Sequence, residues 1–183
     1  EEIKSLSCRE IGDICLDRTK IGDVVYGSSR EADISTVRYV HCKDGHNDSY
    51  SPGGGGNLAV NLASLGAQVS VMGVVGQDHP RGILMKELKR RGIDSTYLLQ
   101  SRDRATILFE RAYSSQDLTK PINRWDTENQ NAVPPFVESR LIDILKQKHY
   151  NFDAVVIIDH CEVEDKTAII TENVLTPLAK LRG

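Results

Sequence analysis

Two aspartates four residues apart near the N-terminus are the first side chains of this sequence that could bind a ligand. The apolar segment Ile11 to Leu16 predicts a short strand, with Asp13 and Asp17 at its carboxyl end. Open α/β sheets bind ligands at the carboxyl ends of their strands, and a carboxylate there can accept two hydrogen bonds from hydroxyl groups. The same carboxylates could instead cap the strand or pair with Arg18, and the residues alone leave both interpretations open.

A run of four glycines, Gly53 to Gly56, is the second candidate for ligand binding. Asn57 follows the run directly and an apolar pattern with helical spacing comes next, so the glycine amides are predicted to lie at a helix N-terminus. Such amides are unpaired donors that no side chain shields, and they suit hydroxyl-rich or anionic ligands. A flexible linker is the alternative, but the helix that follows argues against it. Asn57 has two possible roles, as a helix cap or as a ligand contact.

A charged cluster later in the chain contains Lys120, Arg124 and Asp126. Clusters of this kind usually form a solvated surface, although two cations could also hold a phosphate group. His160 follows an apolar strand and could titrate near neutral pH, yet an isolated histidine is more often structural.

The elements that must position these residues alternate between strands and helices, which predicts an α/β fold. Its main sheet is expected to be parallel with helices on both faces, and Ala154 to Ile158 reads as one of its fully covered strands. Residues from about 23 to 50 alternate loosely between turns, which predicts a small antiparallel β lid. Pro134 is expected to open one helix and Thr171 to cap the last.

Length and composition restrict the possible classes of function. The chain has 183 residues, which suits one domain, and its formal net charge of −3 argues against nucleic acid as a partner. No apolar run reaches the length of a membrane span, so no membrane partner is expected. The four cysteines have no metal-binding spacing, which favours free thiols in a reducing cytoplasm. They are Cys8, Cys15, Cys42 and Cys161.

The stretch from Ser51 to Gly92 resembles the first signature of the ribokinase family, also called the PfkB carbohydrate kinases. The family pattern has a glycine pair and an asparagine before a helix, then a strand and a turn that ends in aspartate. The resemblance extends over about forty contiguous residues with the correct spacing. The matching positions are Gly53, Gly54, Asn57, Ala59, Leu65, Gly66, Gly73, Gly76, Asp78 and Gly82.

This resemblance implies a ribokinase-like fold and an ATP-dependent, Mg²⁺-assisted kinase that acts on a sugar or sugar phosphate. It implies that Asp17, and secondarily Asp13, binds sugar hydroxyls, and that the glycine turn with Asn57 contacts the sugar. The string around Asp17 is most like members that act on heptoses. The segment with Lys120 and Arg124 resembles one that faces the substrate in sugar-kinase relatives. We also expect two subunits to pair through the lid, because a small ribbon of strands is only marginally stable alone.

The second signature of these kinases, D-T-x-G-A-G-D, supplies the general base and a phosphate-binding turn, and it does not occur between Glu1 and Gly183. No P-loop replaces it. The chain is therefore expected to be the N-terminal, sugar-binding part of a kinase domain, with no catalytic residue of its own and no activity alone.

The sequence also suggests two other interpretations. A noncatalytic sugar-binding or regulatory module of the same fold remains open. A dinucleotide-binding oxidoreductase is disfavoured, because its glycine motif follows the first strand directly, whereas here that strand runs into Asp17 and Arg18.

Overall fold

The computed structural model describes residues 6–28, 35–40, 48–148, 152–160 and 167–179. In chain order its elements are β1 (Ser7–Gly12), β2 (Ile14–Ser28), β3 (Ser35–Val40), β4 (Asp48–Gly54), α1 (Gly55–Ser64), β5 (Gln68–Gly76), α2 (His79–Arg90), β6 (Asp94–Ser101), β7 (Leu108–Ser114), β8 (Asn123–Thr127), α3 (Pro135–Lys148), β9 (Ala154–Ile158) and α4 (Glu172–Ala179).

The main sheet has the strand order β6-β5-β1-β9, and all its described pairs are parallel. Strand β1 is central, with Glu10 paired in register to Val71 of β5 and Val156 of β9. Parallel neighbours need crossover connections, which helices supply here. The predicted parallel α/β sheet is confirmed.

Apolar side chains cover both faces of this sheet. On one face, Leu84 and Leu88 of α2 pack in a cluster with Val71 of β5. On the other face, Leu141 of α3 and Val174 of α4 pack in a separate cluster that reaches the same strands. The predicted helices on both faces of the sheet are therefore confirmed. The prediction that Ala154 to Ile158 is fully covered is wrong, because β9 lies at the end of the described strand order and is only half-buried.

A second sheet of five strands has the order β3-β2-β7-β8, with β4 also paired to β2. It corresponds to the predicted lid, but it begins at Ile14 rather than near residue 23, and it includes β7 and β8. The β2–β7 pair is parallel while the other pairs are antiparallel, so the sheet is mixed rather than purely antiparallel. Residues 29–34 and 41–47 of the predicted lid lie outside the described residues.

The first strand also differs from its predicted boundaries of Ile11 to Leu16. Strand β1 ends at Gly12 and β2 begins at Ile14, so that segment contains the junction of two strands. Asp13 lies at the carboxyl end of β1 as expected, whereas Asp17 lies inside β2. The apolar pattern misled because two charged residues, Arg9 and Glu10, occupy the buried middle of β1.

Arg9 is buried by stacking between aromatic rings. Its guanidinium carbon lies 3.8 Å from the ring centroid of Tyr97 and 3.9 Å from that of Phe152. Its Nε donates a 3.2 Å hydrogen bond to Ser70 Oγ. Cation–π contacts of this kind stabilise a cation that has lost its water.

The helix starts follow the predicted signals. Helix α3 begins at Pro135, directly after Pro134, and the N–H of Val174 donates to Thr171 Oγ1 at 3.3 Å at the start of α4. Cys8 and Cys15 are buried free thiols, while Cys42 and Cys161 lie outside the described residues. None of the described helices is long and apolar enough to cross a membrane.

Candidate functional site

The glycine run forms the turn from strand β4 into helix α1. Gly54 is the N-cap of the helix and has φ 56° and ψ −131°, a conformation that side chains disfavour. Gly55 starts the helix, and its N–H donates a 2.9 Å hydrogen bond to the carbonyl oxygen of Asp13. The turn is thereby fixed against the β1–β2 junction. Asn57 is exposed in the first helical turn, so it is not the cap.

Substitution of Gly54 by Ala is expected to lower the free energy of unfolding by about 2–4 kcal/mol. A Cβ at this position would lie 2.5 Å from the backbone oxygen of Asp13, in addition to the unfavourable φ. Gly82→Ala is the matched control, because a Cβ there meets nothing within 4 Å and a helix interior favours Ala by about 0.5–1 kcal/mol. Urea denaturation measures both variants, and equal changes would contradict a special role of the Gly54 conformation.

Asp13 packs against this turn, and its residue surface is 1% exposed. Its Oδ2 accepts a hydrogen bond from the His160 N–H at 3.3 Å, and its Oδ1 has no partner among the described residues. Burial raises the pKa of Asp13, and the hydrogen bond from His160 opposes that shift. A buried acceptor with an open position can receive a ligand hydroxyl.

Asp17 lies directly over Gly53. A Cβ built on Gly53 would be 2.8 Å from both Cγ and Oδ2 of Asp17, so this contact needs glycine. Arg111 Nη1 lies 3.6 Å from Asp17 Oδ1, which is within ion-pair range but too long for a hydrogen bond. Burial raises the pKa of Asp17, and the charges of Arg111 and Arg124 only partly offset it. Asp17 therefore keeps hydrogen-bonding capacity for a ligand.

Two arginines lie near Asp17 on neighbouring strands. Arg111 of β7 is the register partner of Arg124 of β8. Arg124 also pairs with Asp126 at 2.9 Å and lies 5.2 Å from the ring centroid of Phe109. Lys120 is exposed in the connection between β7 and β8, and it makes no ion pair with a described residue. Arg124 therefore acts on Asp17 through its charge, and Lys120 is not among the groups that do so.

Glu10 lies beneath the same turn. It is completely buried, and neither carboxylate oxygen has a partner among the described residues. Burial and the charge of Asp13 together raise the pKa of Glu10 to about 8. A carboxylic acid in this environment holds its proton at neutral pH.

His160 contributes its backbone rather than its ring to the site. Its N–H binds Asp13, whereas its imidazole is exposed and packs edge-on to Phe109, with 6.5 Å between ring centroids.

Asp78, the aspartate that ends the resemblance pattern, is structural. It caps α2 by accepting from the Arg81 N–H at 3.0 Å, and it accepts from the N–H and hydroxyl of Thr106 at 2.8 and 2.7 Å. Burial would raise the pKa of Asp78, but these hydrogen bonds outweigh it and the pKa is lowered.

A separate cavity of about 580 Å³ lies beside Asp78, and Asp13, Asp17 and the glycine turn do not line it. The cavity is lined by Gln77, Asp78, Arg102, Asp103, Arg104 and Ala105.

Across the described ranges, no group of three or more His, Cys, Asp or Glu side chains could hold a metal ion.

Sequence reasoning missed two members of the site, Glu10 and Arg111. Glu10 carried no local signal, because charged side chains are seldom buried and only two of the four residues from Cys8 to Ile11 are apolar. Arg111 carried no local signal, because only the parallel pairing of β2 with β7 brings it beside Asp17.

Comparison with known proteins identifies the family. Residues 19–171 match the family model described as pfkB family carbohydrate kinase. Two curated relatives are each named Bifunctional protein HldE. The protein from Trichlorobacter lovleyi is 30% identical over 175 residues, covering 96% of this chain and 33% of its own length. The protein from Geobacter sulfurreducens is 31% identical over 150 residues, covering 82% of this chain and 29% of its own length. The chain thus spans about a third of these relatives.

Solved structures show the same fold at low sequence identity. A carbohydrate kinase from Agrobacterium tumefaciens matches with a TM-score of 0.61 and 16% identity, covering 96% of this chain and 49% of that one. A possible 1-phosphofructokinase from Thermotoga maritima matches with a TM-score of 0.61 and 19% identity, covering 82% of this chain and 44% of that one. Both matches show a shared fold, in agreement with the two sheets described above. This chain belongs to the PfkB family of carbohydrate kinases.

Proposed function

We propose that the protein is an ATP-dependent sugar kinase, which transfers a phosphoryl group to a hydroxyl of a sugar or sugar phosphate, and that this chain provides the sugar-binding side. The observation that carries the proposal is the pair of carboxylates, Asp13 and Asp17, with open hydrogen-bonding positions beside the glycine turn. Family membership implies ATP as the phosphoryl donor.

In this proposal, the carboxylates and the turn hold the sugar in one orientation. Asp17 and Asp13 accept hydrogen bonds from hydroxyl groups, which fixes the sugar relative to the sheet edge. Gly53 gives the Asp17 carboxylate room to lie against the turn, and Gly54 supplies the positive φ, so the two glycines hold the turn beside the sugar. Asn57 is exposed in the first turn of α1, where its amide can bind a further hydroxyl.

The arginines beside Asp17 favour a sugar that already carries a phosphate. Arg111 and Arg124 face each other across the β7–β8 pair, and guanidinium groups bind phosphate oxygens in pairs. Lys120 could join them from its exposed position when a ligand is bound. Part of the Arg111 charge already acts on Asp17, so the phosphate would bind on the side of Arg111 away from that carboxylate.

We assign no catalytic base to this chain, because the signature that carries the base in this family does not occur in its sequence. The described residues offer no Mg²⁺ cluster either, so we assign no step to a metal ion. Strand β9 pairs only with β1 among the described residues, and its Ile157 is 39% exposed. An apolar strand edge of this kind suits a sheet that further strands extend.

A coupled ADP-release assay on the full-length protein tests the proposed function. Its panel should contain pentoses, hexoses and heptoses, each free and as the terminal phosphate. We expect ADP release that depends on one sugar class and is fastest for phosphorylated members. ADP release that no sugar stimulates would contradict the proposal and favour the second candidate, a noncatalytic sugar-binding module of the same fold.

We also propose that the full-length protein is a cytoplasmic homodimer that pairs through the second sheet. Strand β8 is exposed along its length, and Trp125 on it is 44% exposed. Exposed edge strands pair readily with a second chain. Sedimentation at micromolar concentration should give a dimer, and a monomer would show that this sheet folds back on itself instead.

A further inference from the structure

Glu10 is a buried carboxyl group that the proposed sugar contacts do not use. It is 0% exposed, and its two oxygens lack hydrogen-bond partners among the described residues. Its carboxyl group is aimed at Gly55, the first residue of α1. A Cβ built on Gly55 would lie 2.1 Å from Oε1 and 2.7 Å from Cδ of Glu10.

This contact connects Glu10 to the ligand-binding turn through the backbone. Gly55 donates its N–H to the Asp13 carbonyl oxygen at 2.9 Å, and the preceding Gly54 holds the unusual φ of 56°. Close packing leaves no room for the Glu10 carboxyl group to draw in water without displacing Gly55. Ionisation of Glu10, which would require hydration of its carboxylate, therefore disturbs the turn and Asp13 together.

The groups that face Glu10 favour its neutral form. Asp13, at the β1–β2 junction, repels a charge on Glu10, and burial raises the pKa of the Cys15 thiol of β2, which stays neutral. Helix α1 buries only glycine and alanine, and the strand partners of Glu10 are Val71 and Val156. None of these groups is a cation. The groups facing Asp13 itself are Asp159, His160 and Arg104.

We propose that Glu10 is a positioning residue, and that its bound proton holds the glycine turn and Asp13 in the geometry that receives the sugar. Ionisation of Glu10 places a charge beside Asp13 with neither water nor a cation, and the turn opens. The inference rests on the proposed function for the identity of the ligand, but the change in the turn itself does not require a ligand.

The pH range follows from the pKa of Glu10, which is about 8 in the folded protein and 4.5 in its ordinary state. Between these values the folded protein binds one more proton than the unfolded chain. The free energy of unfolding therefore falls as pH rises from about 4.5 to about 8. Above that range the contribution of Glu10 to the free energy of unfolding is constant. Glu10→Gln keeps the shape of the side chain and cannot ionise, so it should remove this pH dependence.

Hydrogen exchange of the full-length protein, followed by mass spectrometry between pH 6.5 and 9, tests the inference. After correction for the intrinsic pH dependence of exchange, peptides across the β4–α1 turn should lose at least about tenfold in protection in the wild type. They should stay constant in Glu10→Gln. Asp143→Asn, an exposed carboxylate on α3, is the matched control and should behave as the wild type does.

The same pH dependence in Glu10→Gln as in the wild type would overturn the inference. If Glu10→Gln does not fold, the measurement on the wild type is sufficient. Constant protection of the turn up to pH 9 in the wild type would also overturn the inference. In the kinase assay, KM for the panel sugar that releases most ADP should rise with pH in the wild type and stay constant in Glu10→Gln. The exchange readout needs no sugar, so it can succeed or fail independently of the proposed function.

Discussion

Residues 1–183 on their own are expected to release no more ADP with a sugar present than without one. The proposed site supplies contacts for the sugar, but no residue of this chain is assigned as the general base or as the phosphate-binding turn. A positioned base contributes about 10²–10⁴-fold and an electrostatic phosphate site about 10²–10³-fold or more. Loss of both should reduce turnover by at least about 10⁴-fold, to near background.

The control for this prediction is the full-length protein in the same coupled assay with the same sugar panel. Isothermal titration of residues 1–183 with the best panel sugar would show whether weak binding persists. Robust sugar-dependent ADP release from residues 1–183 would contradict the prediction, because catalysis would then reside in residues to which we assign only sugar binding or structure.

Asp17→Asn in the full-length protein is expected to lower kcat/KM for the sugar by about ten- to a hundredfold. The amide keeps the shape that packs on Gly53, but it replaces one acceptor oxygen with a donor and removes the charge. Sugar hydroxyls that donate to Asp17 would then lack a partner, at a cost of about 1–3 kcal/mol. KM for ATP should change less than twofold, because Asp17 acts on the sugar alone.

Asp48→Asn is the matched control for this variant. Asp48 lies at the far end of the same β2–β4 pair and forms an ion pair with Arg18, so its loss changes the charge of this sheet without touching the proposed sugar site. Surface ion pairs contribute only about 0–1 kcal/mol. A decrease in the sugar's kcat/KM of less than twofold in Asp17→Asn, or an equal decrease in both variants, would show that Asp17 is structural.

Local sequence patterns were sufficient to predict the glycine turn, the helices and the parallel sheet. The turn is encoded by four consecutive glycines before an apolar helix, and the structure uses them for a positive φ at Gly54 and for close contact with carboxyl groups at Gly53 and Gly55. The sequence also pointed to Asp13 and Asp17 as candidate ligand-binding carboxylates, although the strand that carries Asp17 was assigned wrongly.

The features of the fold and site that local patterns do not predict depend on contacts between residues that are distant in sequence. Alternation in residues 106–113 predicts a strand, but it does not say that this strand pairs in parallel with β2 and brings Arg111 to Asp17. Similarly, no local pattern predicts that Arg9 and Glu10 are buried, because charged side chains are seldom buried. The aromatic rings beside Arg9 and the glycine helix start above Glu10 make their burial possible.

A crystal structure of the full-length protein with the best panel sugar tests the central claim most directly. We predict that sugar hydroxyls lie within about 2.5–3.2 Å of the carboxylates of Asp13 and Asp17, with the ring against Gly53 and Gly54. A sugar bound in the cavity beside Asp78, or anywhere that leaves Asp17 without a hydroxyl contact, would contradict the account.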